Sequence, residues 1–348
     1  MNDIVKQYYG ETLQGTKDLK TDACCTEASP PEFVKPILAQ IHPEVIERHY
    51  GCGLIVPEHL EGLTILDLGC GTGRDAYLLS RLVGPQGSVI GVDMTEKQLA
   101  IARRHAEFHR KAFGYQKSNV QFLHGDIERL DRLAIPAASV DLVVSNCVIN
   151  LASDKAAVLR QAYHVLKPGG EIYFADIYAD RRVPAQLKQD PVLYGECLSG
   201  ALYWNDFLTL AVRQGFPDPR QVGGRPIRVE SPQLSKRLGN IRFFSATYRL
   251  FKLPDLEPAC EDYGQAVIYR GTIPYHPDRF VLDKHHVMEK GRVLPVCGNT
   301  WRMLKETRFA PHFEFIGSFD THYGLFAGCG GGLPFAEATS ASANNGCC

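Results

Sequence analysis

The sequence predicts a doubly wound α/β domain with a mostly parallel sheet, followed by a smaller α+β domain. Apolar runs of strand length alternate with helical patterns between residues 63 and 178. Such runs are apolar on both faces, so they require helices on both sides of a largely parallel sheet. A glycine-rich loop connects the first run to the first helix. Beyond residue 225 the runs become shorter and alternate between apolar and polar residues, which favours a separate α+β domain.

The elements of the α/β domain follow one another in the order that a parallel sheet requires. Strands are predicted where Val, Ile and Leu dominate short runs, and helices where apolar residues recur every three or four positions. The predicted strands lie at 63–68, 88–93, 120–124, 140–145 and 171–177, and the helices at 74–83, 95–112, 153–166 and 204–214.

Four parts of the chain are expected from these patterns. Residues 1–62 hold short helical patterns between Gly and Pro breaks, and residues 63–225 hold the α/β domain. Residues 226–330 form the α+β domain, and residues 331–348 form a flexible Gly-rich tail that ends in two cysteines. In the α+β domain, strands are predicted at 242–251, 266–271 and 279–283 and a helix at 300–307.

Charge and hydropathy exclude several classes of protein. The chain has 38 Lys and Arg against 39 Asp and Glu, so its formal net charge is −1. A charge this close to zero supplies no electrostatic attraction to nucleic acid or to an anionic membrane. No stretch approaches the ~20 apolar residues that span a bilayer, and the N-terminal residues lack a signal-peptide pattern. We therefore expect a cytoplasmic protein without nucleic-acid or membrane partners.

Eleven cysteines are the unusual feature of the composition. An odd number in a chain of this size argues against a secreted disulfide framework, so reduced thiols are expected. The sequence contains no CxxC or HExxH motif and no other zinc-type spacing, and no metal cofactor is expected.

The glycine-rich loop at 66–73 predicts a nucleotide-like ligand. Glycines permit left-handed backbone and remove the Cβ atoms that would keep a ligand away from the main chain. Asp93 ends the second strand twenty residues beyond Gly73, where a carboxylate can accept hydrogen bonds from ribose hydroxyls. A dinucleotide site favours G-x-G-x-x-G, whereas this loop reads G-x-G-x-G after Asp67. That carboxylate suits the ammonium of S-adenosylmethionine, which has no pyrophosphate.

The loop resembles the first motif of the class I methyltransferases, which have a Rossmann-like fold. The segments Gly125-Asp126-Ile127 and Lys167-Pro-Gly-Gly170 fit later motifs of that family. The resemblance implies S-adenosylmethionine as the cofactor, with Asp126 at the adenine amino group. A cation–π contact would favour packing of Tyr50 over the sulfonium. The cofactor-binding residues expected on this basis are Tyr50, Asp67, Gly69, Gly71, Gly73, Asp93, Met94, Asp126, Ile127 and Asn146.

Four cysteine-bearing segments make the resemblance more specific. Cys147 follows the fourth strand, Cys197 lies in a helical, thiol-bearing insertion, and Cys52 and Cys24 lie in N-terminal loops. With their neighbouring residues, these segments resemble the arsenite methyltransferases over nearly the whole chain. His49 stands where that family usually has the first tyrosine of Tyr-Tyr-Gly-Cys. The choice between Cys24 and its neighbour Cys25 stays open.

The resemblance implies that thiolates hold trivalent arsenic, because this soft element prefers sulfur to nitrogen or oxygen. The implied arsenic ligands are Cys147, Cys197 and Cys52. Cys24 and Cys52 are implied to reduce arsenic after methyl transfer, with glutathione or thioredoxin restoring the thiols. Glu196 is a candidate to accept the proton of Cys197, and its other interpretation is a solvated surface carboxylate.

Two other functions stay open at this stage. One is a methyltransferase for a small organic acceptor such as a quinone or sterol, and the other is a thiol-rich protein that sequesters metalloids without turnover. Cys260, Cys297 and Cys329 match no chemical spacing and are interpreted as structural, as is Cys70 inside the glycine loop.

Overall fold

A computed structural model describes residues 29–49, 51–229 and 231–329. The chain divides into two compact units, residues 1–252 and residues 253–348. None of the helices in the described residues combines the length and the apolar character needed to cross a bilayer.

The first unit is built around one twisted sheet, in which the described residues contribute eight strands. The strand order is β3-β2-β1-β4-β5-β8-β7, and β6 pairs with the end of β5. Pairs among β1 to β5 are parallel, whereas β8 is antiparallel to both β5 and β7. The predicted doubly wound, mostly parallel sheet is therefore confirmed. The strands are β1 Thr64–Leu68, β2 Ser88–Asp93, β3 Val120–His124, β4 Val140–Asn146, β5 Leu166–Ala179, β6 Leu202–Tyr203, β7 Arg220–Pro226 and β8 Phe243–Phe251.

Helices cover this sheet, and two clusters of buried apolar side chains form the core of the unit. The helix predicted at 95–112 is broken in two at His105, whose φ of −96° and ψ of 6° are not helical. The helices are α1 Lys35–Leu38, α2 Pro43–Ile46, α3 Arg74–Val83, α4 Glu96–Arg104, α5 Ala106–Ala112, α6 Lys155–Val165, α7 Pro191–Gly195, α8 Trp204–Arg213 and α9 Pro232–Leu238. Short 3-10 helices lie at Ile127–Arg132, Ile149–Leu151 and Ala185–Gln189.

The expected domain boundary after residue 225 is wrong. Strand β8 was expected in the C-terminal domain, but it pairs with β5 from Glu171↔Phe251 to Ala179↔Phe243 in the large sheet. The residues just before the expected boundary contain β7, whose register with β8 shifts between Gln221 and Gly223. An alternating strand pattern gives no information about which sheet the strand joins, so the first unit extends to Lys252.

The second unit has small antiparallel sheets and one longer helix within its described residues. Its sheets have the strand orders β13-β10-β14, β11-β12 and β15-β9. This agrees with the predicted α+β character of the C-terminal domain. The elements are β9 Glu261–Asp262, β10 Ala266–Tyr269, β11 Arg279–Asp283, β12 His286–Glu289, β13 Val293–Pro295, α10 Gly298–Lys305, β14 Phe313–Ile316 and β15 Gly324–Leu325.

Candidate functional site

The glycine loop after β1 places main-chain groups without side chains at the carboxyl edge of the sheet. Gly69 has a φ of 74°, and a Cβ atom there would lie 2.5 Å from the side chain of Val148. Gly71 has a φ of 54°, and no atom would lie within 4 Å of an added Cβ. A side chain at Gly69 would therefore collide with the loop after β4, whereas one at Gly71 would occupy open space that a ligand can use.

A cleft of about 940 Å³, including its open mouth, lies beside this loop. Its walls come from the ends of β1, β2 and β4 and from the loop after β3, as expected for a ligand site at the carboxyl ends of parallel strands. Gly73 caps α3 and is not part of the lining, and Tyr50 lies outside the described residues. Of the expected cofactor residues, the lining includes Asp67, Gly69, Gly71, Asp93, Met94, Asp126, Ile127 and Asn146.

Asp93 is held in place by the main chain. Its Oδ2 accepts a hydrogen bond from the amide of Gly71 at 2.9 Å, and its Oδ1 accepts one from Thr95 at 2.7 Å. Each carboxylate oxygen can accept more than one hydrogen bond, so the group can still receive ribose hydroxyls. Asp126 is held similarly, because its Oδ1 accepts from the amide of Glu128 at 2.9 Å.

Asp67 is the buried carboxylate that best fits a cationic ligand group. The side chain is 3% exposed, and its Oδ2 has no hydrogen-bond partner among the described residues. Burial raises its pKa well above the ordinary value, and the nearby charges of Asp75 and Asp93 raise it further. A buried carboxylate oxygen without a hydrogen-bond partner is unfavourable by itself. The ammonium of S-adenosylmethionine would supply the missing partner and charge, so these residues fit that cofactor.

Asp75 differs from Asp67 because a guanidinium lies beside it. Burial would raise the pKa of Asp75, but the guanidinium of Arg74, 3.1 Å away, is the main effect that lowers it. Asn146 also lowers this pKa, because its Nδ2 donates to Asp75 at 2.8 Å. His49, at the position of the family's tyrosine, has its pKa lowered to about 4 by burial and by Arg74. Its imidazole is therefore neutral at pH 7, and Asp75 is ionised.

Two of the predicted arsenic ligands lie side by side. The thiol of Cys197 donates a hydrogen bond to the carbonyl oxygen of Cys147 at 3.3 Å, although 50 residues separate them. Both residues have a φ of 61°, in the left-handed region that residues other than glycine rarely adopt. Their side chains are 2% and 0% exposed. Such strain persists only where surrounding structure enforces it, and it concentrates at functional sites.

The two turns that carry these cysteines meet because their elements pack together. The hydroxyl of Tyr194, in α7, donates to the carbonyl of Leu151 at 2.8 Å. The turn after α7 also approaches the 3-10 helix at Ile149–Leu151 closely. A Cβ atom at Gly200 would lie 2.4 Å from the carbonyl oxygen of Asn150, so glycine permits this approach.

Cys52 joins the same region through a loop that is tied to the sheet. Asn146 bonds both main-chain groups of Gly53, donating to its carbonyl at 2.9 Å and accepting from its amide at 3.3 Å. Ser245 in β8 donates to the carbonyl of Cys52 at 3.0 Å. Asn146 directly precedes Cys147, so these bonds hold the loop that carries Cys52 beside the end of β4.

Tyr178 in β5 is a shared neighbour of these thiols. Its hydroxyl is buried and has no hydrogen-bond partner among the described residues. Burial is the main reason that the pKa of Tyr178 is raised well above normal, and Asp176, Tyr248, Cys52 and Cys147 raise it further. Negative charge on Cys52 or on Cys147 therefore raises the pKa of the same phenol.

Lys155 was missed by the sequence analysis. Its Nζ donates to the carbonyls of Asn150 and Ala152, both at 2.9 Å, in the segment between Cys147 and α6. Burial lowers the pKa of Lys155 to about 8, against the opposing effects of Asp176 and Cys197. Lys155 is also the first residue of α6. A positive charge is unfavourable at a helix N-terminus. A lysine at the predicted start of a helix was therefore the signal in the sequence that could have pointed to Lys155.

The other predicted catalytic residues have different outcomes. Glu196 is fully buried, so the interpretation as a solvated surface carboxylate is wrong. The reason is that Glu196 directly follows α7 in a turn that is packed inside the unit. Cys24 lies outside the described residues.

Family models match both units of the chain. A model described as a methyltransferase domain matches residues 59–215, and a model of the arsenite methyltransferase C-terminal domain matches residues 263–323.

Known proteins are similar over most of the length. The chain is 60% identical to the arsenite methyltransferase of Aquipseudomonas alcaligenes, over all of both chains. It is 48% identical to the arsenite methyltransferase of Mus musculus, over 89% of this chain and 82% of the relative. The crystal structure of an arsenic(III) S-adenosylmethionine methyltransferase from Chlamydomonas reinhardtii superposes on this chain with a TM-score of 0.83. The match covers 86% of this chain and 100% of that chain, and the two sequences are 51% identical.

Proposed function

The chain belongs to the arsenite methyltransferase family and methylates arsenite with S-adenosylmethionine, and we propose that Cys52, Cys147 and Cys197 hold the arsenic. The observation that carries this assignment is the contact between two strained, buried cysteines at the edge of the cofactor cleft. Three thiolates form a pyramid around trivalent arsenic and leave its lone pair exposed. Trivalent arsenic is a soft element that prefers sulfur ligands, which explains why cysteines hold it.

The chain's contribution to methyl transfer is mainly positioning. S-adenosylmethionine, when bound, supplies an electrophilic methyl group. Asp67 would bind the ammonium of this cofactor, Asp93 the ribose hydroxyls and Asp126 the adenine amino group, and Met94 and Ile127 would contact the nucleoside. The thiolates fix arsenic with its lone pair directed at the cleft. Because arsenic attacks with a lone pair, no proton is removed from the acceptor, and near-attack geometry is worth ~7–11 kcal/mol.

Thiol ionisation needs nearby groups that accept the proton and stabilise the charge. Glu196 is adjacent in sequence to Cys197 and is buried with it. We assign Glu196 as the group that accepts the proton of Cys197. Lys155 supplies positive charge near the same thiol, which favours the thiolate.

Reduction follows each methyl transfer, because the lone pair becomes a bond and arsenic becomes formally pentavalent. The thiol of Cys24 loses its proton and forms a disulfide with Cys52, and the electron pair of the As–Cys52 bond that breaks returns arsenic to the trivalent state. Glutathione or thioredoxin then reduces that disulfide. This cycle requires a reducing compartment, so we assign the protein to the cytoplasm, where it serves arsenic detoxification.

The test of this function is methyl transfer by the full-length chain. The protein is incubated with arsenite, a thiol reductant and methyl-labelled S-adenosylmethionine, and the arsenicals are separated. We expect labelled mono- and dimethylated arsenic. Arsenic binding without label in the arsenicals would instead support sequestration. Label transferred to an added demethylated quinone, but not to arsenite, would support an organic acceptor.

A Lys155→Met variant is expected to raise the KM for arsenite about tenfold and to leave the KM for S-adenosylmethionine within twofold. Met keeps the apolar stem but removes the charge, and a charge near a thiolate is worth ~1–4 kcal/mol at the effective dielectric of a protein. The ammonium is charged below its pKa of about 8 and neutral above it. The variant and the parent should therefore converge above pH 8 in a pH profile of kcat/KM.

Two further variants control this measurement. Lys155→Arg keeps the charge and should restore most of the arsenite affinity. Lys167→Met removes a partly exposed lysine that pairs with Asp141 at 2.7 Å, and it should change neither KM more than twofold. An unchanged KM for arsenite in Lys155→Met would contradict the proposed electrostatic role.

A further inference from the structure

A second group of cysteines lies in the C-terminal unit, far along the chain from the proposed arsenic ligands. The thiol of Cys260 is within hydrogen-bonding reach of both Cys297 and Cys329. Cys297 is buried and the other two are partly exposed, and none of the three forms a disulfide. The bond with Cys297 raises the pKa of Cys260, with burial and Cys329 acting in the same direction. No local sequence pattern groups these cysteines, because neighbouring members lie 37 and 32 positions apart in the chain.

The surrounding structure holds these cysteines in place. Strand β9 starts directly after Cys260 and pairs with β15, and the amide of Phe326 donates to the carbonyl of Cys260 at 2.8 Å. The amide of Cys329 then donates to the carbonyl of Phe326 at 3.2 Å. On the other side, Asn299 bonds the amide and the carbonyl of Glu257, both at 2.8 Å. These bonds fasten both neighbouring segments to the residues around Cys260.

Cys297 has surroundings that favour its ionised form. It is the residue before the first turn of α10, where the helix dipole stabilises negative charge. Its Sγ lies 3.4 Å from the hydroxyl of Thr300, which lies 3.5 Å from Nε2 of His286. The other ring nitrogen of His286 is 2.8 Å from Asp283. These polar groups hold the thiol of Cys297 in a fixed position.

We propose that Cys260, Cys297 and Cys329 form a second binding site for trivalent arsenicals, separate from the methyl-transfer site. The proposal takes the arsenical substrate from the proposed function but not its catalytic residues. Binding is a condensation in which each thiol loses its proton to an As–OH group. One As–S bond forms and one water leaves for each thiol used, and arsenic stays trivalent. Soft thiolates and a soft element make this pairing favourable.

The arrangement predicts how many thiols each arsenical uses. Among the described residues, the only group of three such ligands within 4.8 Å of one another is His42, Glu44 and His105, so the three sulfurs are more widely spread. Cys260 contacts both other thiols and is the central member. A monomethylated arsenical needs two thiolates, and Cys260 with Cys297 supplies them. Arsenite needs three, so the partly exposed Cys329 must turn inward to complete its site.

The test counts bound arsenic on the full-length chain after anaerobic reduction and desalting. Monomethylarsonous acid or arsenite is added, unbound arsenic is removed, and arsenic per chain is measured by mass spectrometry. Cys260→Ser should bind one equivalent fewer than the parent with either arsenical. Cys329→Ser should lower arsenite affinity at least tenfold but change that for monomethylarsonous acid less than twofold. Since Cys329 is partly exposed, this second variant keeps the test valid if Cys260→Ser fails to fold.

Controls separate this site from the catalytic one. The Cys347→Ser/Cys348→Ser variant removes the last two thiols of the sequence. It should still bind the equivalent of arsenic that Cys260→Ser loses. Single-turnover methylation should persist in Cys260→Ser, whereas failure of the proposed function would remove methylation from the parent itself. Equal arsenic in the parent and Cys260→Ser would overturn the proposal. So would one zinc per chain that is present in the purified parent and absent from Cys260→Ser.

Discussion

A Cys147→Ser/Cys197→Ser double variant is expected to lose arsenite methylation by at least about 1,000-fold, equivalent to ~4 kcal/mol at the transition state. Serine has nearly the size of cysteine, but its hard oxygen does not hold trivalent arsenic. With two of three ligands removed, arsenic is no longer fixed beside the cofactor cleft. The measurement is the initial rate of labelled methyl transfer to arsenite.

Control measurements separate a lost ligand from a damaged fold. The double variant should bind S-adenosylhomocysteine as tightly as the parent in calorimetry, because neither serine replaces a group assigned to the cofactor. Cys347→Ser/Cys348→Ser removes the same number of thiols and should keep more than half of the rate. Cys147→Gly should also lose activity while keeping its turn, because glycine adopts a φ of 61° without strain. Retention of a tenth of the rate by the double variant would contradict the ligand assignment.

An Asp67→Asn variant is expected to weaken S-adenosylmethionine binding about 10- to 100-fold and to stabilise the cofactor-free fold. A hydrogen bond to a charged group contributes ~1.5–3 kcal/mol, which accounts for the lost affinity. The stabilisation arises because burial and two acidic neighbours raise the pKa of Asp67 above its unfolded value. Below about pH 4 the carboxyl is protonated in both states, so the variant gains nothing there. At higher pH Asp67 ionises freely in the unfolded chain, whereas in the folded chain it either stays protonated or becomes an unfavourable buried charge. Asp67 then lowers the unfolding free energy, and Asn does not.

Two measurements check this prediction. Denaturant unfolding without cofactor should give a higher unfolding free energy for Asp67→Asn at pH 7 than for the parent, and equal values near pH 3.5. Calorimetry in buffers of different ionisation enthalpy should show proton release when the parent binds S-adenosylmethionine, because the ammonium favours the ionised carboxylate. Asp141→Asn, which removes a carboxylate that pairs with Lys167, should change the affinity for S-adenosylmethionine less than twofold. An unchanged affinity in Asp67→Asn would exclude Asp67 as the ammonium partner.

Local sequence patterns predicted the α/β elements closely. Helix 74–83 and strands 88–93 and 120–124 have the predicted bounds, because apolar spacing and glycine breaks act within a few residues. The glycine loop and Asp93 were likewise predictable, since their positions follow from strand order alone. The assignment of β8 failed because a strand pattern does not specify its partner.

By itself, the sequence determined the parallel sheet, the glycine loop and the position of Cys147 after the fourth strand, because these depend on neighbouring residues, whereas Cys52 and Cys197 were selected by their resemblance to family motifs. Only the tertiary structure decided which thiols meet. The contact of Cys197 with Cys147 depends on packing between α7 and the 3-10 helix after β4. The approach of Cys329 to Cys260 depends on the pairing of β9 with β15, and that of Cys297 depends on the bonds between Asn299 and Glu257. Contacts between distant segments depend on how the whole fold buries its apolar faces and pairs its main-chain hydrogen-bonding groups. The spacing of the cysteines along the chain does not predict these contacts.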